Sequence, residues 1–395
     1  MTLFSAYGQT FFISLSAGEI RAEYGLSHGQ FGTLYMIATL GSALTLPWLG
    51  RIVDIYSAAK VALIIMPALA LGMVGMALSQ HIVLLCVVIY LLRLFGQGMM
   101  TQNALTATGR WFAANRGRAV SLVTLGHNVS EAVMPFLFVA LVAVLGWRTS
   151  WLVMAAVLVF AALPMIFALV RVEREPASDP VDKSKPVVAN WTRPQVLRDP
   201  AFWALLTGVL APPFIGTTIF FHQVYLVELR GWSLEMFAAS FALMSGMTIT
   251  FALISGWLID RYSALRLLPA FLLPLSLSCF VLGSFSQAWA PFIFMALMGI
   301  SYGFSSTLFG AVWPEVYGTK HLGAIRAVVV AIMVFATAAG PGLTGYLIDI
   351  GVHYPNQIIV MGVYCVLISF VMVLTSRHLI ARLHTSSLAN LPAVG

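Results

Sequence analysis

Long apolar runs separated by short polar stretches fill almost the whole chain. A helix needs about 20 mostly apolar residues to cross the hydrocarbon core of a bilayer, and runs of this kind recur twelve times. Strands that cross a membrane are shorter and alternate between apolar and polar positions, a pattern that this chain lacks. The pattern therefore predicts an all-α membrane protein with twelve transmembrane helices. The predicted helices cover residues 3–18, 29–50, 60–79, 82–108, 118–145, 148–170, 201–227, 234–258, 265–285, 288–313, 324–348 and 355–376.

The composition also favours a membrane protein, since 60% of the 395 residues are hydrophobic and only 9% are charged. Soluble proteins carry about 25% charged residues, so a chain of this composition would aggregate in water. No Lys or Arg precedes Arg21, so the positively charged start of a cleavable leader is missing. Cys86, Cys279 and Cys365 fall inside predicted helices without close spacing, which favours buried apolar side chains over a metal or disulfide role.

The distribution of Lys and Arg explains the net charge of +7. With the N-terminus placed inside, 17 of the 21 basic residues fall in loops or termini on the cytoplasmic side. Arg21, Arg148 and Arg230 fall on the opposite side, and Arg93 falls within a predicted helix. An excess of cytoplasmic Lys and Arg sets the orientation of membrane proteins. It predicts that both termini lie in the cytoplasm of a bacterial-type inner membrane. The basic charge thus reflects topology and does not indicate a nucleic acid partner.

A polar segment that is rich in proline divides the chain into two similar halves. The stretch GRIVDIYSA at 50–58 matches GWLIDRYSA at 256–264, an offset of about 206 residues. A repeat of six helices predicts two pseudo-equivalent bundles with a substrate site near the bilayer midplane between them. The predicted division is a first bundle, a cytoplasmic linker and a second bundle at residues 1–171, 172–199 and 200–395.

The repeated motif resembles the cytoplasmic loop motif of the major facilitator superfamily. The first copy keeps Gly50 and Asp54, and the second keeps Gly256, Asp260 and Arg261. The resemblance covers the whole chain. It implies a fold of two six-helix bundles in which these five residues act in gating at the cytoplasmic face.

Both copies depart from the family motif. The first copy has Ile55 in place of a basic residue, Ser57 in place of glycine and Ala58 in place of arginine. The second copy has Ser263 in place of glycine. A motif carboxylate can interact with the partial positive charge of a neighbouring helix N-terminus. Because the first copy has lost basic partners, we expect it to form the weaker gate.

Two charged residues lie deep inside predicted helices. Burying Arg93 or Glu131 alone would cost several kcal/mol, so each is expected to face the interior and to have a partner. Counted from the outer face, their Cα atoms differ in depth by about one helical turn, roughly 6 Å. His127 precedes Glu131 by four residues and shares its helix face. Arg93, Gly96 and Gln97 resemble the superfamily's motif in helix four, which implies a role in proton or substrate handling.

Two interpretations of this pair remain open. In the first, Arg93 and Glu131 form a permanent structural ion pair that fixes the packing of helices four and five. In the second, Glu131 or His127 takes up a proton while Arg93 engages an anionic substrate. A guanidinium stays charged in any environment and can bind a carboxylate through two hydrogen bonds, which suits the second interpretation.

Helices one and seven are interrupted at corresponding places. Gly8 breaks the pattern of the first helix, while Pro212, Pro213 and Gly216 break that of the seventh. Paired interruptions of this kind point to a midplane binding site. The stretch RDPAFW at 198–203 is similar to the monocarboxylate and oxalate–formate branch of the superfamily, which implies small organic anions. The candidate substrate-binding residues are Arg93, Tyr7, Gln9, Gln97, Thr217, His222, Gln223 and Tyr302.

No phosphate-binding loop, zinc-ligand spacing or catalytic triad stands out in the sequence, so we expect neither an enzyme nor an ATP-driven pump, and no cofactor or metal. We predict a monomeric secondary transporter that moves a small organic anion, most simply a monocarboxylate, with protons by alternating access. The alternative is proton-driven efflux of amphipathic drugs or metabolites, which the helices rich in aromatic residues and Met favour. A membrane sensor without transport activity is a third, weaker hypothesis.

Overall fold

The computed structural model describes residues 1–50, 52–111, 116–172, 190–318 and 321–389. These residues form helices and turns, and no strand occurs among them. Most of the predicted linker, residues 173–189, lies outside the described residues. The prediction of an all-α protein is therefore confirmed over the described part of the chain.

Twelve long helical elements, α1 to α12, follow one another along the described residues, and several are built from consecutive shorter segments. The first six are α1 (Thr2–Gly8, Thr10–Ile13, Ser14–Ser16 and Ala17–Tyr24), α2 (His28–Leu49), α3 (Ala58–Leu78), α4 (Ile82–Leu91, Leu92–Met100 and Thr101–Trp111), α5 (Arg116–Leu145) and α6 (Trp147–Ala156, Val157–Ala162 and Leu163–Val170). The second six are α7 (Pro200–Phe221 and Gln223–Arg230), α8 (Leu234–Tyr262), α9 (Leu273–Ser284), α10 (Ala290–Tyr317), α11 (Leu322–Asp349) and α12 (Tyr354–Ala389). Short connecting helices lie at Ile52–Ile55, Arg193–Leu197 and Ala264–Leu267.

Nine of the described helices are long and apolar enough to cross a membrane, judged by length and composition. They are α3 to α8 and α10 to α12. The first element, α1, differs because it is broken into four segments, and the α9 helix has only 12 residues. Apolar side chains cover much of the outer surface, as expected for helices whose solvent on that side is lipid.

Local sequence signals set the boundary between α1 and α2. Gly25 follows α1 with φ of 63°, a left-handed conformation that glycine adopts without steric cost. Ser27 then caps α2, because its side chain accepts a hydrogen bond from the Gln30 backbone amide while the Gln30 side chain bonds back to the Ser27 amide. The two signals produce a sharp reversal of the chain between the two helices.

Helices α1 and α4 approach so closely that their backbones touch. A Cβ atom built on Gly96 would lie 2.6 Å from the Cα of Gly8, and one built on Gly8 would lie 2.6 Å from the amide nitrogen of Gln97. Only glycine fits at this crossing. The same part of α4, Leu92–Met100, is π-helical, a distortion that is common at functional sites.

The chain folds into two compact units that do not coincide with the two sequence halves. The first unit has the bounds Met1–Val181, Thr217–Ser245 and Thr337–Tyr354, of which only the described residues are meant. The second comprises Asp182–Gly216, Gly246–Ala336 and Pro355–Gly395. Two segments from the second sequence half, at one end of α7, α8 and α11, thus pack within the unit that contains the whole first half.

Candidate functional site

The guanidinium of Arg93 lies at the crossing of α1 and α4 and is buried, with 5% of the residue exposed. Its Nη1 donates hydrogen bonds to the carbonyl of Gly8 at 3.2 Å and to Oγ1 of Thr10 at 3.3 Å. The Gly8 carbonyl is available because α1 breaks at Gln9, whose backbone is extended (φ −84°, ψ 151°). The interruption of α1 that the sequence predicted therefore provides the main acceptor for Arg93.

Tyr35 of α2 completes this environment. The guanidinium carbon of Arg93 lies 5.4 Å from the centre of the Tyr35 ring, within the range of a cation–π interaction. The Tyr35 hydroxyl lies 2.6 Å from Oγ1 of Thr10, so the two side chains hydrogen bond to each other. Three helices, α1, α2 and α4, thus hold one edge of the guanidinium.

The charge of Arg93 has no carboxylate partner among the described residues. Nη1 donates to two neutral oxygens, the neutral Tyr35 hydroxyl also lies beside the guanidinium, and the buried Nε has no hydrogen-bond partner there. Buried charges in membrane proteins are normally paired, because an unpaired charge at this depth costs several kcal/mol. The Nε edge of Arg93 is therefore suited to receive an anion.

Glu131 lies in α5 and pairs with His127 instead of Arg93. Oε1 of Glu131 is 3.4 Å from Nε2 of His127, and Glu131 is buried while a third of the His127 side chain is exposed. The structure does not bring Arg93 and Glu131 together. Similar depth in the membrane does not place two residues on facing helix surfaces, and Arg93 lies in a π-helical segment of α4, where the angular spacing of side chains differs from that of an α-helix.

Two predicted site residues are engaged in internal packing. Tyr7 is buried, its hydroxyl donates to Sδ of Met154 at 3.6 Å, and its ring packs edge-on against Phe12. Gln223 is also buried, and its Nε2 donates to the carbonyl of Phe11 at 2.8 Å and to Oγ of Ser14 at 2.9 Å. Both side chains hold helices together in this structure, and their proposed contact with substrate stays a prediction.

Three other predicted residues have side chains that remain available. Gln9, Gln97 and Thr217 are half-buried, and none of them forms a side-chain hydrogen bond to another residue in the described ranges. Gln9 lies at the break in α1, between the two residues that accept from Arg93. Gln97 lies one turn after Arg93 in α4, next to Gly8. By their positions in the chain, these two amides are candidates to join an anion at Arg93.

His222 and Tyr302 each form a hydrogen bond that lies within one compact unit. His222 is buried between α7 and α11, where its Nε2 lies 3.1 Å from the carbonyl of Pro341. Tyr302 of α10 directs its hydroxyl toward the carbonyl of Pro212 at 3.5 Å, and a Cβ on Gly216 would overlap this hydroxyl. Gly216 thus provides space for Tyr302 in the second compact unit.

The two copies of the repeated motif adopt different backbones. Ser57 begins α3 with φ of −63° and caps it, whereas Ser263 has φ of 83°, the left-handed region where the family motif has glycine. Glu315 of α10 supports the second turn, because its carboxylate accepts from the Ser263 hydroxyl and from the Ala264 amide at 3.0 Å. Glu315 was not recognised in the sequence, since it lies about 50 residues from the motif.

The remaining gating residues are resolved only in part. Gly50 ends α2 against the Gln102 side chain, whose Nε2 would lie 2.8 Å from a Cβ at this position. A Cβ on Gly256 of α8 would make an ordinary contact with Cγ2 of Thr307 at 3.8 Å, and the exposed Arg261 lies over the rings of Trp257 and Tyr262. The side chains of Asp54 and Asp260 lie outside what the structure describes. Gating by these residues therefore stays a prediction.

The RDPAFW stretch forms an anchor at the start of α7. Asp199 accepts hydrogen bonds from Arg382 of α12 at 2.7 Å, from the Tyr317 hydroxyl at 3.0 Å and from the Ala201 amide at 3.1 Å. Burial by itself would raise the pKa of the Asp199 carboxyl, but these hydrogen bonds outweigh burial and lower the pKa below its usual value. The Arg382 guanidinium also covers the ring of Trp191 at 4.9 Å. This carboxylate therefore has a structural role that does not involve substrate.

Comparison with known proteins identifies the family. The model of the Major Facilitator Superfamily matches residues 1–325 and, in a second match, residues 247–388. The MFS transporter asaE of Aspergillus flavus is 23% identical over 230 residues, which make up 58% of this chain and 50% of that protein. The chain thus spans about half the length of this curated relative.

Solved structures show the same fold. The bacterial homolog of the human lysosomal transporter Spinster, in an inward-facing and unoccupied conformation, superimposes with a TM-score of 0.74 at 16% identity and covers 96% of both chains. Its inward-facing and occupied form gives a TM-score of 0.69 at 16% identity, over 95% of this chain and 96% of that one. The predicted architecture of two pseudo-symmetric six-helix bundles is confirmed. The chain belongs to the major facilitator superfamily.

Proposed function

We propose that this protein is a proton-coupled secondary transporter in which Arg93 binds a small organic anion, with a monocarboxylate as the simplest substrate. The observation that carries the proposal is the buried guanidinium, whose charge is met only by neutral oxygens among the described residues. A substrate carboxylate would supply the missing negative charge. Its binding would be favoured because the unpaired charge has already been desolvated by the fold.

The geometry of the guanidinium supports a carboxylate over other anions. Nη1 is held by Gly8 and Thr10 and Nε has no partner among the described residues, so a planar ligand would approach along the edge that contains Nε. A carboxylate binds this edge through two parallel hydrogen bonds. The half-buried amides of Gln9 and Gln97 can donate further hydrogen bonds to the same ligand.

Proton coupling is assigned to the pair formed by His127 and Glu131. An imidazole and a carboxylate 3.4 Å apart can share or take up one proton, and part of the His127 ring is open to its surroundings. Because Arg93 does not contact Glu131, coupling by direct electrostatic contact between the two is not supported. The first segment of α1 offers a route, since Oγ1 of Thr2 donates to the carbonyl of Val123 in α5 at 2.7 Å. The same helix carries Gly8 and Thr10 at the anion site.

Reconstituted transport tests the proposal. Labelled monocarboxylates, dicarboxylates and lipophilic cations would be added outside proteoliposomes, one compound at a time, with and without an imposed pH gradient. We expect uptake of a monocarboxylate that the pH gradient stimulates. Arg93→Gln would reduce uptake roughly 100-fold, because two charge-assisted hydrogen bonds of about 1.5 kcal/mol each are lost. The control Arg326→Gln removes an exposed arginine whose one hydrogen bond to the described residues goes to the Gly310 carbonyl, and it would leave uptake unchanged.

Two outcomes would reject parts of the proposal. Transport of lipophilic cations alone, unaffected by Arg93→Gln, would indicate the alternative function of amphipathic efflux. In the second outcome, the pH gradient would stimulate anion uptake by Glu131→Gln and His127→Gln as strongly as uptake by the parent. That result would reject the assignment of proton coupling to these two residues, while the assignment of the anion site to Arg93 would be unaffected.

A further inference from the structure

The last residue of α11, Asp349, caps the N-terminus of α2. Its carboxylate accepts hydrogen bonds from Oγ of Ser27 at 2.6 Å, from the His28 amide at 3.1 Å and from the Gly29 amide at 2.8 Å. The first amides of a helix have no acceptor within the helix, and they carry a partial positive charge. The Ser27 side chain already serves the Gln30 amide, so Asp349 supplies acceptors that α2 itself lacks.

A second line of contact joins the same two helices below this cap. A Cβ on Gly32 of α2 would lie 2.5 Å from the Pro341 carbonyl, and one on Gly345 would lie 2.4 Å from the His28 carbonyl. Pro341, Gly345 and Asp349 are spaced four residues apart and share one face of α11. The two helices are therefore in backbone contact along two turns, and Asp349 closes the end of that contact.

α7 forms further hydrogen bonds at the same end of the protein where α2 and α11 are in contact. Nε2 of His222 lies 3.1 Å from the Pro341 carbonyl, and Oγ of Ser14 in α1 donates to the Phe220 carbonyl at 2.6 Å. All of these residues lie in the first compact unit, although α7 and α11 belong to the second sequence half. This end of the protein is the face that the distribution of Lys and Arg predicts to be extracellular.

We propose that Asp349 is a gating residue that holds this face closed. In a transporter that works by alternating access, α2 and α11 come from opposite halves and must separate when the face opens. Asp349 must then leave the α2 N-terminus, and the His28 and Gly29 amides must find water. The carboxylate thus stabilises the closed arrangement selectively and biases the equilibrium between the two states. This inference does not depend on the identity of the substrate.

The repeat shows that the cap is one-sided. Ala143 occupies the position of Asp349 at the repeat offset of 206 residues, and it cannot accept a hydrogen bond through its side chain. The related helix start in α8 is capped by its own Ser233, whose Oγ accepts from the Met236 amide at 3.1 Å. The carboxylate cap therefore occurs at only one of these two repeat-related helix pairs and is not a general feature of the fold.

Thiol accessibility measures the opening of this face. Ala17 is buried in α1 beside a small cavity that is lined by Phe221, His222 and Val224 of α7, and it does not touch Asp349. An Ala17→Cys reporter would be placed in a chain whose Cys86, Cys279 and Cys365 are replaced by Ala. Its reaction rate with a membrane-impermeant methanethiosulfonate reagent would be measured in proteoliposomes. We expect Asp349→Ala to raise this rate at least tenfold and Asp349→Asn, which keeps one acceptor oxygen without the charge, to raise it less.

The matched control is Glu23→Ala. Glu23 forms an ion pair with Arg148 within the first six helices, so its loss removes a charged interaction of the same unit without touching the contact of α2 and α11. It would leave the reporter rate unchanged. Asp349→Ala with a rate within twofold of the parent would show a static cap and would overturn the proposal. If Asp349→Ala cannot be purified in folded form, Asp349→Asn is judged by the same twofold limit.

Discussion

The half-buried Arg382 and the buried Arg93 differ in the partners of their guanidinium groups. Arg382 in the second compact unit pairs with Asp199, which Tyr317 and the Ala201 amide also serve, and its guanidinium is covered by Trp191. Arg93 in the first unit is more deeply buried, yet no carboxylate accompanies it among the described residues. The charge of Arg382 is paired with a carboxylate of the fold, although its Nη2 has no hydrogen-bond partner among the described residues. An unpaired charge is satisfied only when something binds, so the difference separates an anchor from a binding site.

Giving Arg93 a carboxylate of its own would remove this difference most completely. Thr10→Asp places an acidic group where Nη1 already finds Oγ1 of Thr10. The internal ion pair would compete with substrate, and we expect the apparent affinity for the anion to fall roughly 100-fold, since an ion pair of this kind is worth about 3 kcal/mol when buried. Concentration-dependent uptake in proteoliposomes measures the change.

Thr10→Asn is the matched control, because it has the shape of Asp without the charge. We expect its affinity to stay within about threefold of the parent, a difference of roughly 0.6 kcal/mol. An Asp variant that binds the anion as well as the Asn variant would contradict the view that Arg93 acts through an unpaired charge.

Removal of each arginine should affect stability in opposite ways. Arg382→Gln leaves the buried carboxylate of Asp199 with fewer donors, and we expect the free energy of unfolding to fall by about 2 kcal/mol. Arg93→Gln removes a buried charge that lacks a carboxylate, so stability should be unchanged or higher. Thermal unfolding of both variants in the same detergent measures this, and a larger loss for Arg93→Gln would reverse the assignment of the two roles.

Low pH should reduce the stability that the Asp199 carboxylate contributes at the start of α7, without a direct effect on the charge of Arg93. The pKa of Asp199 is lower in the folded protein than in the unfolded chain, so its contribution to stability is complete above the unfolded value of about 4. It is lost as the pH falls through the folded value. We expect the melting temperature of the parent to drop below pH 4 more steeply than that of Asp199→Asn, which has no titrating group there. Parallel curves would mean that Asp199 is not stabilised by Arg382.

The smallest effect is expected from the hydroxyl of Tyr35. Tyr35→Phe keeps the ring that lies over Arg93 but loses the hydrogen bond to Thr10. One neutral hydrogen bond contributes about 1 kcal/mol, so the apparent affinity for the anion should fall about fivefold with little change in maximal rate. Tyr35→Leu, which also loses the cation–π contact, should cost more, and equal effects of the two variants would show that the ring does not position Arg93.

The fold could be predicted from the sequence because lipid imposes a simple rule. Every membrane-crossing helix needs a long apolar run, so the twelve helices and their repeat are visible in the hydropathy pattern. The break at Gly8 was also predictable, since glycine interrupts the run at a place that matches Gly216. The anchor at Asp199 was not, because nothing in RDPAFW indicates that Arg382, more than 180 residues later, bonds to it.

The details of the site depend on which way side chains point. Arg93 and Glu131 were predicted at similar depth, but depth does not determine the facing surface of a helix, and the π-helical segment of α4 cannot be seen in composition. Glu131 pairs with His127, which lies four residues earlier in the same helix. Asp349 was overlooked because an acidic residue at a helix end usually faces water. Its partner is the start of another helix, which only the packed structure brings close.

Direct binding to the purified protein tests the central claim most simply. A labelled monocarboxylate that the parent transports would be titrated onto the parent, Arg93→Gln and Arg382→Gln at fixed pH, with saturable binding as the readout. We predict that Arg93→Gln abolishes saturable binding, while Arg382→Gln binds with the affinity of the parent despite its lower stability. Binding by Arg93→Gln at the parent's affinity would contradict the assignment of Arg93 as the anion site.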